Sequence, residues 1–242
     1  MNIVAIIQAR MSSTRLPGKV LLSIAGKAMI TYVIERARLA KSLNQVIVAT
    51  SIDSTDDPIV EFCRLNQFAY FRGNLTDVLE RYYETAKHLN AQVIVRITSD
   101  CPLIDGALID QGILAFRNDR IDYLSNTIQR TFPRGFDFEI FTFNVLETAY
   151  KKATEKPERE HVTPYIWRNH PEDFRIRHFV QETNKSSYRV TVDTAEDFGM
   201  IKILIEKFHA DKKTCQEIIT LLDTHPEIVA INKHIEQKQY GK

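Results

Sequence analysis

The sequence predicts an α/β protein whose first half is built on parallel strands. Two observations predict it. Over about the first hundred residues, short apolar runs rich in β-branched residues alternate with stretches whose apolar residues recur at helical spacing. The first run, Ile3-Val4-Ala5-Ile6-Ile7, stops abruptly in a polar, basic loop. Such alternation calls for parallel strands joined by right-handed crossovers, and ligands of such folds bind at the carboxyl ends of the strands.

The elements follow in order. Met29 to Lys41 reads as a helix, with Ile30, Val33, Ile34 and Ala37 on one face. Gln45 to Thr50 is a second buried strand, and Ser54-Thr55-Asp56-Asp57-Pro58 has the hydroxyl, acids and early proline of a helix start. Phe68 to Phe71 is a short strand, Thr76 to Leu89 a helix, and Gln92 to Thr98 the most strand-like run. Beyond this the polarity is mixed. Strands are expected over Ile121–Ile128, Phe136–Phe143, Phe174–Val180 and Tyr188–Val192. Helices are expected over Asn144–Thr154, Glu158–Asn169, Thr194–Phe208, Thr214–Asp223 and Pro226–Gln237. One continuous fold is expected, with a nucleotide half over 1–120, a second-substrate half over 121–212 and a helical tail over 213–242.

Composition narrows the function. A chain of 242 residues with net charge +1 has no global basic field for nucleic acid. The three cysteines, Cys63, Cys101 and Cys215, form no CxxC pair, which argues against a zinc site or disulfide framework and fits a reducing cytoplasm. No signal peptide is expected, and no apolar run reaches the ~20 residues of a membrane span.

Three stretches carry chemistry. In the loop from Arg10 to Lys19, Pro17-Gly18 enforces a turn, while Arg10, Arg15, Lys19 and the hydroxyls of Ser12, Ser13 and Thr14 suit a polyphosphate. The spacing is not that of a Walker loop. In Thr98-Ser99-Asp100-Cys101-Pro102, Asp100 follows the strongest strand and is placed to hold Mg²⁺, whereas Asp105 reads as the cap of the next helix. In Val192-Asp193-Thr194, another acid follows a strand; it is a second metal ligand or a helix cap, and Asp197 one turn later can support it. Taken alone, Asp77 to Tyr82 reads as a capped helix, and Pro133 to Glu139 and Glu158 to His161 read as surface loops, with binding of a polyhydroxylated, acidic second substrate as the alternative.

The run from Ile7 to Leu21, with Asp77-Val78-Leu79-Glu80-Arg81-Tyr82, Thr98 to Ile104, Glu160-His161-Val162-Thr163-Pro164-Tyr165 and Val192-Asp193-Thr194, closely resembles the cytidylyltransferase family that activates acidic sugars. Within it the chain is most similar to the spore coat polysaccharide biosynthesis protein F branch, related to the 3-deoxy-manno-octulosonate and acylneuraminate enzymes. The resemblance implies a three-layer nucleotide-diphospho-sugar transferase (Rossmann-like) fold with a mixed, mostly parallel sheet. It implies CTP as donor, a sugar as acceptor, Mg²⁺ as cofactor and pyrophosphate as product. By position, Gln8, Ala9, Arg10, Ser12, Ser13, Thr14, Arg15, Lys19, Asp77, Arg81 and Ser99 would bind the nucleotide. Arg10, Lys19 and Asp100 would serve catalysis, and Asp100 and Asp193 the metal. Asp137, Glu139 and His161 would face the sugar. The octulosonate enzymes carry an acidic or amide residue and a glycine where this chain has Thr98-Ser99, so their sugar is not carried over. A glycosyltransferase on the same fold needs a DxD motif, and Ser99-Asp100-Cys101 lacks its second acid. A binding module without catalysis is the other alternative. The tail's apolar spacing suits packing on its own domain or on a second copy in a homodimer.

Overall fold

The computed structural model describes residues 1–118 and 121–237, so the last five positions assigned to the tail, and 119–120 at the boundary between the halves, lie outside the described residues. The chain opens with β1 (Ile3–Gln8), a short hairpin of β2 (Ser23–Ile24) and β3 (Lys27–Ala28), and α1 (Met29–Ala37). β4 (Gln45–Ser51), α2 (Asp57–Leu65), β5 (Tyr70–Gly73), α3 (Val78–His88), β6 (Val93–Thr98) and α4 (Gly106–Asn118) continue the alternation. The second part contains β7 (Tyr123–Ser125), β8 (Glu139–Thr142), α5 (Phe143–Lys152), α6 (Lys156–His161), β9 (Ile176–His178), α7 (Ala195–Phe208), α8 (Cys215–Thr224) and α9 (Pro226–Val229).

The main sheet runs β5-β4-β1-β6-β8-β7-β9. β5, β4, β1 and β6 are mutually parallel, β8 runs antiparallel to both β6 and β7, and β9 is parallel to β7. The sheet is therefore mixed and mostly parallel, as the family resemblance implies. Successive residues of a strand face opposite sides. Ile3, Ala5 and Ile7 of β1 accordingly join a core with α1, α4, α7 and α8, whereas Val4 and Ile6 join a second core with α3 and α5. Helices thus cover both faces, which makes three layers.

The strand order fixes where a ligand can sit. From β1 the chain first builds outward to β4 and β5, then returns to place β6 on the other side of β1. The loops after β1 and β6 diverge there, opening the crevice typical of such a switch point.

Three expectations need correction. Tyr188–Val192 does not join the sheet. Its ladder reduces to one bridge, between Arg134 and Arg189, because the Val192 amide and the Thr191 hydroxyl donate to the Asp100 carbonyl (2.9 and 3.0 Å). The Glu158–Asn169 helix breaks after His161. Buried Val162 takes a positive φ of 74°, Pro164 follows with no amide hydrogen to donate, and a π-helical turn covers Tyr165–Asn169. The last helix stops at Val229 and continues as turns. No helix among the described residues is long and apolar enough to cross a membrane.

Candidate active site

The loop after β1 is shaped by local chemistry. Leu16 to Lys19 form a β-turn closed by the Lys19 amide on the Leu16 carbonyl (3.2 Å), with Pro17 at the second position and Gly18 at φ 66° in the third. The Met11 carbonyl accepts from both Ser13 and Gly18 (2.9 and 3.0 Å), which folds the loop on itself. Its base is pinned by Asp56, whose fully buried carboxylate accepts from the Met11 amide (2.7 Å) and from the Ser51 amide and hydroxyl (3.2 and 2.5 Å). Sequence reasoning placed Asp56 only in a helix start; nothing local in the sequence marks this long-range role.

This loop forms one wall of a cleft of about 250 Å³. Of the residues proposed for nucleotide and metal, the cleft gathers Gln8, Ala9, Arg10, Ser12, Ser13, Thr14, Arg15, Lys19, Arg81, Ser99, Asp100 and Asp193, and His161 lines it too. Asp77 is the exception. It caps α3 through the Glu80 amide (2.9 Å) and accepts from Arg159 Nε (2.8 Å), and it does not line the cleft. Its acidic side chain is engaged by helix capping, a role that its place before Val78 allows equally well.

The Lys19 ammonium lies between the two strand-end acids. It donates to Asp193 Oδ1 (3.0 Å) and the Val192 carbonyl (2.6 Å) and lies 3.5 Å from Asp100 Oδ2. Burial pulls this lysine down, but Asp100 and Asp193 outweigh it and hold it above the usual range. Asp193 Oδ2 also accepts from Arg15 and Arg189, both at 2.9 Å. Burial would raise Asp193, yet Lys19, Arg15 and Arg189 keep it below the ordinary carboxylate range. A cation seat between Asp100 and Asp193 thus exists, and Lys19 fills it. Its donors are hard oxygens, the kind Mg²⁺ takes. No group of three or more His, Cys, Asp or Glu among the described residues could hold a metal alone, so two carboxylates with substrate phosphates and water make up the fitting donor set.

Arg81 is the other unusual group. It is 2% exposed, it lines the cleft, and its Nε and Nη1 have no hydrogen-bond partner. Burial lowers its affinity for its proton. A buried guanidinium with unpaired donors is costly until a ligand's acceptors reach it.

A second cavity of about 300 Å³ adjoins the first; Thr98 and His161 line both. The turn at Val162 sets His161 and Thr163 on its wall. Burial lowers the His161 imidazole, which favours its neutral form. Asp137 and Glu139 line this cavity as well. Asp137 is held by both ends of Arg130 (2.6 and 2.9 Å). Glu139 accepts from Arg96, Tyr123 and Thr163. Arg134 stands on the same wall, and its guanidinium donates no hydrogen bond among the described residues. The sequence places Arg134 only within the polar stretch Pro133 to Glu139, without a role of its own, three residues before Asp137.

A basic loop at the switch point of a mostly parallel sheet, facing two strand-end carboxylates, defines a nucleotidyltransferase of the α/β class. The comparisons with known proteins agree. The family profile of cytidylyltransferases matches residues 4–235, and the chain belongs to that family, whose members are CTP-dependent nucleotidyltransferases. An uncharacterized protein of Methanocaldococcus jannaschii is 39% identical over 242 residues, 99% of this chain and 98% of that one. The spore coat polysaccharide biosynthesis protein of Bacillus subtilis is 35% identical over 93% of this chain and 96% of its own. A solved cytidylyltransferase from Leptospira borgpetersenii superposes with a TM-score of 0.90 at 35% identity, covering 99% of this chain and 100% of that one.

Proposed function

We propose that this enzyme transfers the cytidylyl group of CTP to an acidic or phosphorylated sugar, with Mg²⁺ as cofactor and release of pyrophosphate, in the biosynthesis of a cell-surface glycan. One observation carries the reading: two cavities meet at Thr98 and His161 and differ in how their charges are paired. The first is lined by Arg10, Arg15, Lys19 and Arg81, suited to a triphosphate and to the acceptor atoms of a base. In the second, Arg96 is matched by Glu139, and Arg130 pairs with Asp137, which leaves Arg134 over. A cavity with one unmatched guanidinium and several hydroxyl-binding groups suits a polyhydroxylated molecule with one anionic group. The relationship to a spore coat polysaccharide protein supports the glycan setting.

The chemistry is displacement at phosphorus. An oxygen of the sugar, either a phosphate oxygen or a hydroxyl that gives up its proton to water, attacks the α-phosphorus of CTP. The bond from that phosphorus to the oxygen bridging to the β-phosphate breaks, and pyrophosphate carries the electron pair away. Such a transfer needs mostly positioning and charge neutralisation. Arg10, Arg15 and Lys19 bind the departing phosphates, with Lys19 and Arg15 leaving Asp193 for them. Arg81 directs its free donors to the nucleotide. Arg134 anchors the sugar's anionic group, and Asp137 and Glu139 accept from its hydroxyls. Asp100 and Asp193 would hold Mg²⁺, which supplies further positive charge at the phosphates.

The test is a matrix of the four ribonucleoside triphosphates against a panel of neutral, carboxylated and phosphorylated sugars, read as pyrophosphate release. Release is expected with CTP and an anionic sugar together. Equal release with every triphosphate, or with neutral sugars alone, would overturn the proposal.

A further inference from the structure

The C-terminal segment reaches Asp197 and Arg189, the two residues that grip Asp193, the acid facing the nucleotide loop. Asn232, in the turns after α9, is 2% exposed. Its amide nitrogen donates to Asp197 Oδ1 (2.8 Å) and to the Arg189 carbonyl (3.1 Å). Asp197 is fully buried. It meets Arg189 through two parallel bonds, Nε to Oδ1 and Nη2 to Oδ2, both at 2.8 Å. Its Oδ2 also accepts from the amides of Asp193 (2.9 Å) and Thr194 (3.2 Å). Arg189 Nη2 continues to Asp193 Oδ2 (2.9 Å), while Nη1 donates to Gln237 in the same C-terminal segment (2.6 Å). Asp193 is thus gripped twice, at its backbone by Asp197 and at its side chain by Arg189.

The grip differs in kind from that of Lys19 and Arg15. Those two cations come from the nucleotide loop and are wanted by phosphates. Arg189 lies behind Asp193, forked onto a buried partner and closed in by Asn232 and Gln237. A fork of this geometry fixes direction as well as charge. When the loop cations turn to a triphosphate, Arg189 remains to hold the Asp193 carboxylate in place.

We propose that Arg189 and Asn232 are positioning residues for cytidylyl transfer: Arg189 directly, and Asn232 through Asp197 and Arg189, hold Asp193 in the orientation in which it receives a divalent cation with the nucleotide. The inference rests on the role given to Asp193 above. It makes the C-terminal segment part of the active-site framework.

The experiment compares Asn232→Ala, Arg189→Lys and Arg189→Gln with Asp193→Asn. Each is read by the affinity of the CTP-bound protein for Mn²⁺, measured by electron paramagnetic resonance without acceptor sugar, and by kcat, KM for CTP and melting temperature. Loss of an outer partner of a metal ligand typically weakens metal binding about 10- to 100-fold. Asn232→Ala and Arg189→Lys are expected to weaken Mn²⁺ by about 10-fold and to lower kcat, with KM for CTP within about 2-fold. Arg189→Gln is expected to fall further, and Arg189→Lys to recover part of that loss by restoring the charge. Should Arg189→Gln fail to fold, Asn232→Ala still decides, because it leaves every charge in place. Unchanged Mn²⁺ affinity in a folded Asn232→Ala, beside a weakened Asp193→Asn, overturns this proposal alone. An inert Asp193→Asn overturns the role of Asp193 and the proposal with it.

Discussion

The two cavities differ in how their charges are settled. In the second, acids and cations are matched within the protein: Glu139 with Arg96, and Asp137 with Arg130. In the first, cations of the loop after β1 are held against a strand-end acid, Lys19 and Arg15 on Asp193, and the Nε and Nη1 of Arg81 lack a partner. A wall whose acids are all paired and which keeps one guanidinium over, Arg134, suits a ligand of hydroxyls and one anion. A wall of borrowed and unpaired cations suits a ligand with several negative charges. Under the proposed function the triphosphate takes the first cavity and the acceptor the second, a division that can be broken at either side.

The largest effect is expected at the cation seat. Lys19→Ala and Asp100→Ala should each lower kcat for pyrophosphate release by about 10²–10³-fold, the usual cost of removing one group that stabilises developing charge. Near-normal turnover in either variant would remove the seat from the mechanism. Next come the two arginines, which should act on different substrates. Arg81→Leu should raise KM for CTP about 10- to 100-fold, the worth of hydrogen bonds to a charged group. It should also raise the melting temperature of the ligand-free protein, because a buried unpaired charge is removed. Arg134→Gln should raise KM for the sugar by a similar factor and leave KM for CTP within about 2-fold. An equal effect of Arg134→Gln on both KM values would erase the division between the cavities.

The smallest effect concerns stability. Burial would raise Asp197, but Arg189, the Asp193 amide and Asn232 keep it below the ordinary range. Its contribution is present above the unfolded value of about 3.9 and is lost as pH falls through the lower folded value. Asp197→Asn should therefore destabilise the protein at pH 7 by about 3 kcal/mol in urea unfolding, and the difference should shrink at pH 3. A difference independent of pH would deny that the carboxylate charge matters.

The sequence made the parallel half legible because its signals are local. β1, β4 and β6 are short runs rich in β-branched residues, and the loop after β1 displays its cations and its Pro17-Gly18 turn in order. The cleft was legible for the same reason: its residues stand at strand ends, where the alternation places them. What escaped depends on long-range pairing. Val190 and Val192 alternate like a strand, yet their amides donate to the separate carbonyls of Arg134 and Asp100 rather than to one neighbouring strand. Asp77 matched its motif and was taken up by Arg159, distant in sequence. Asp56, Arg134 and Asn232 carry no local sign of their roles. Asp56 latches a loop 45 residues away, and Asn232 reaches Asp197 across 35.

The central claim, transfer of the cytidylyl group to an anionic sugar, is tested most directly by following the phosphorus. The enzyme is incubated with CTP labelled at the α- or the γ-phosphate and a carboxylated or phosphorylated sugar that supports pyrophosphate release. The account requires the α-label to appear in the sugar product and the γ-label in pyrophosphate. An α-label that stays in free CMP, or a γ-label that reaches the sugar, would contradict it.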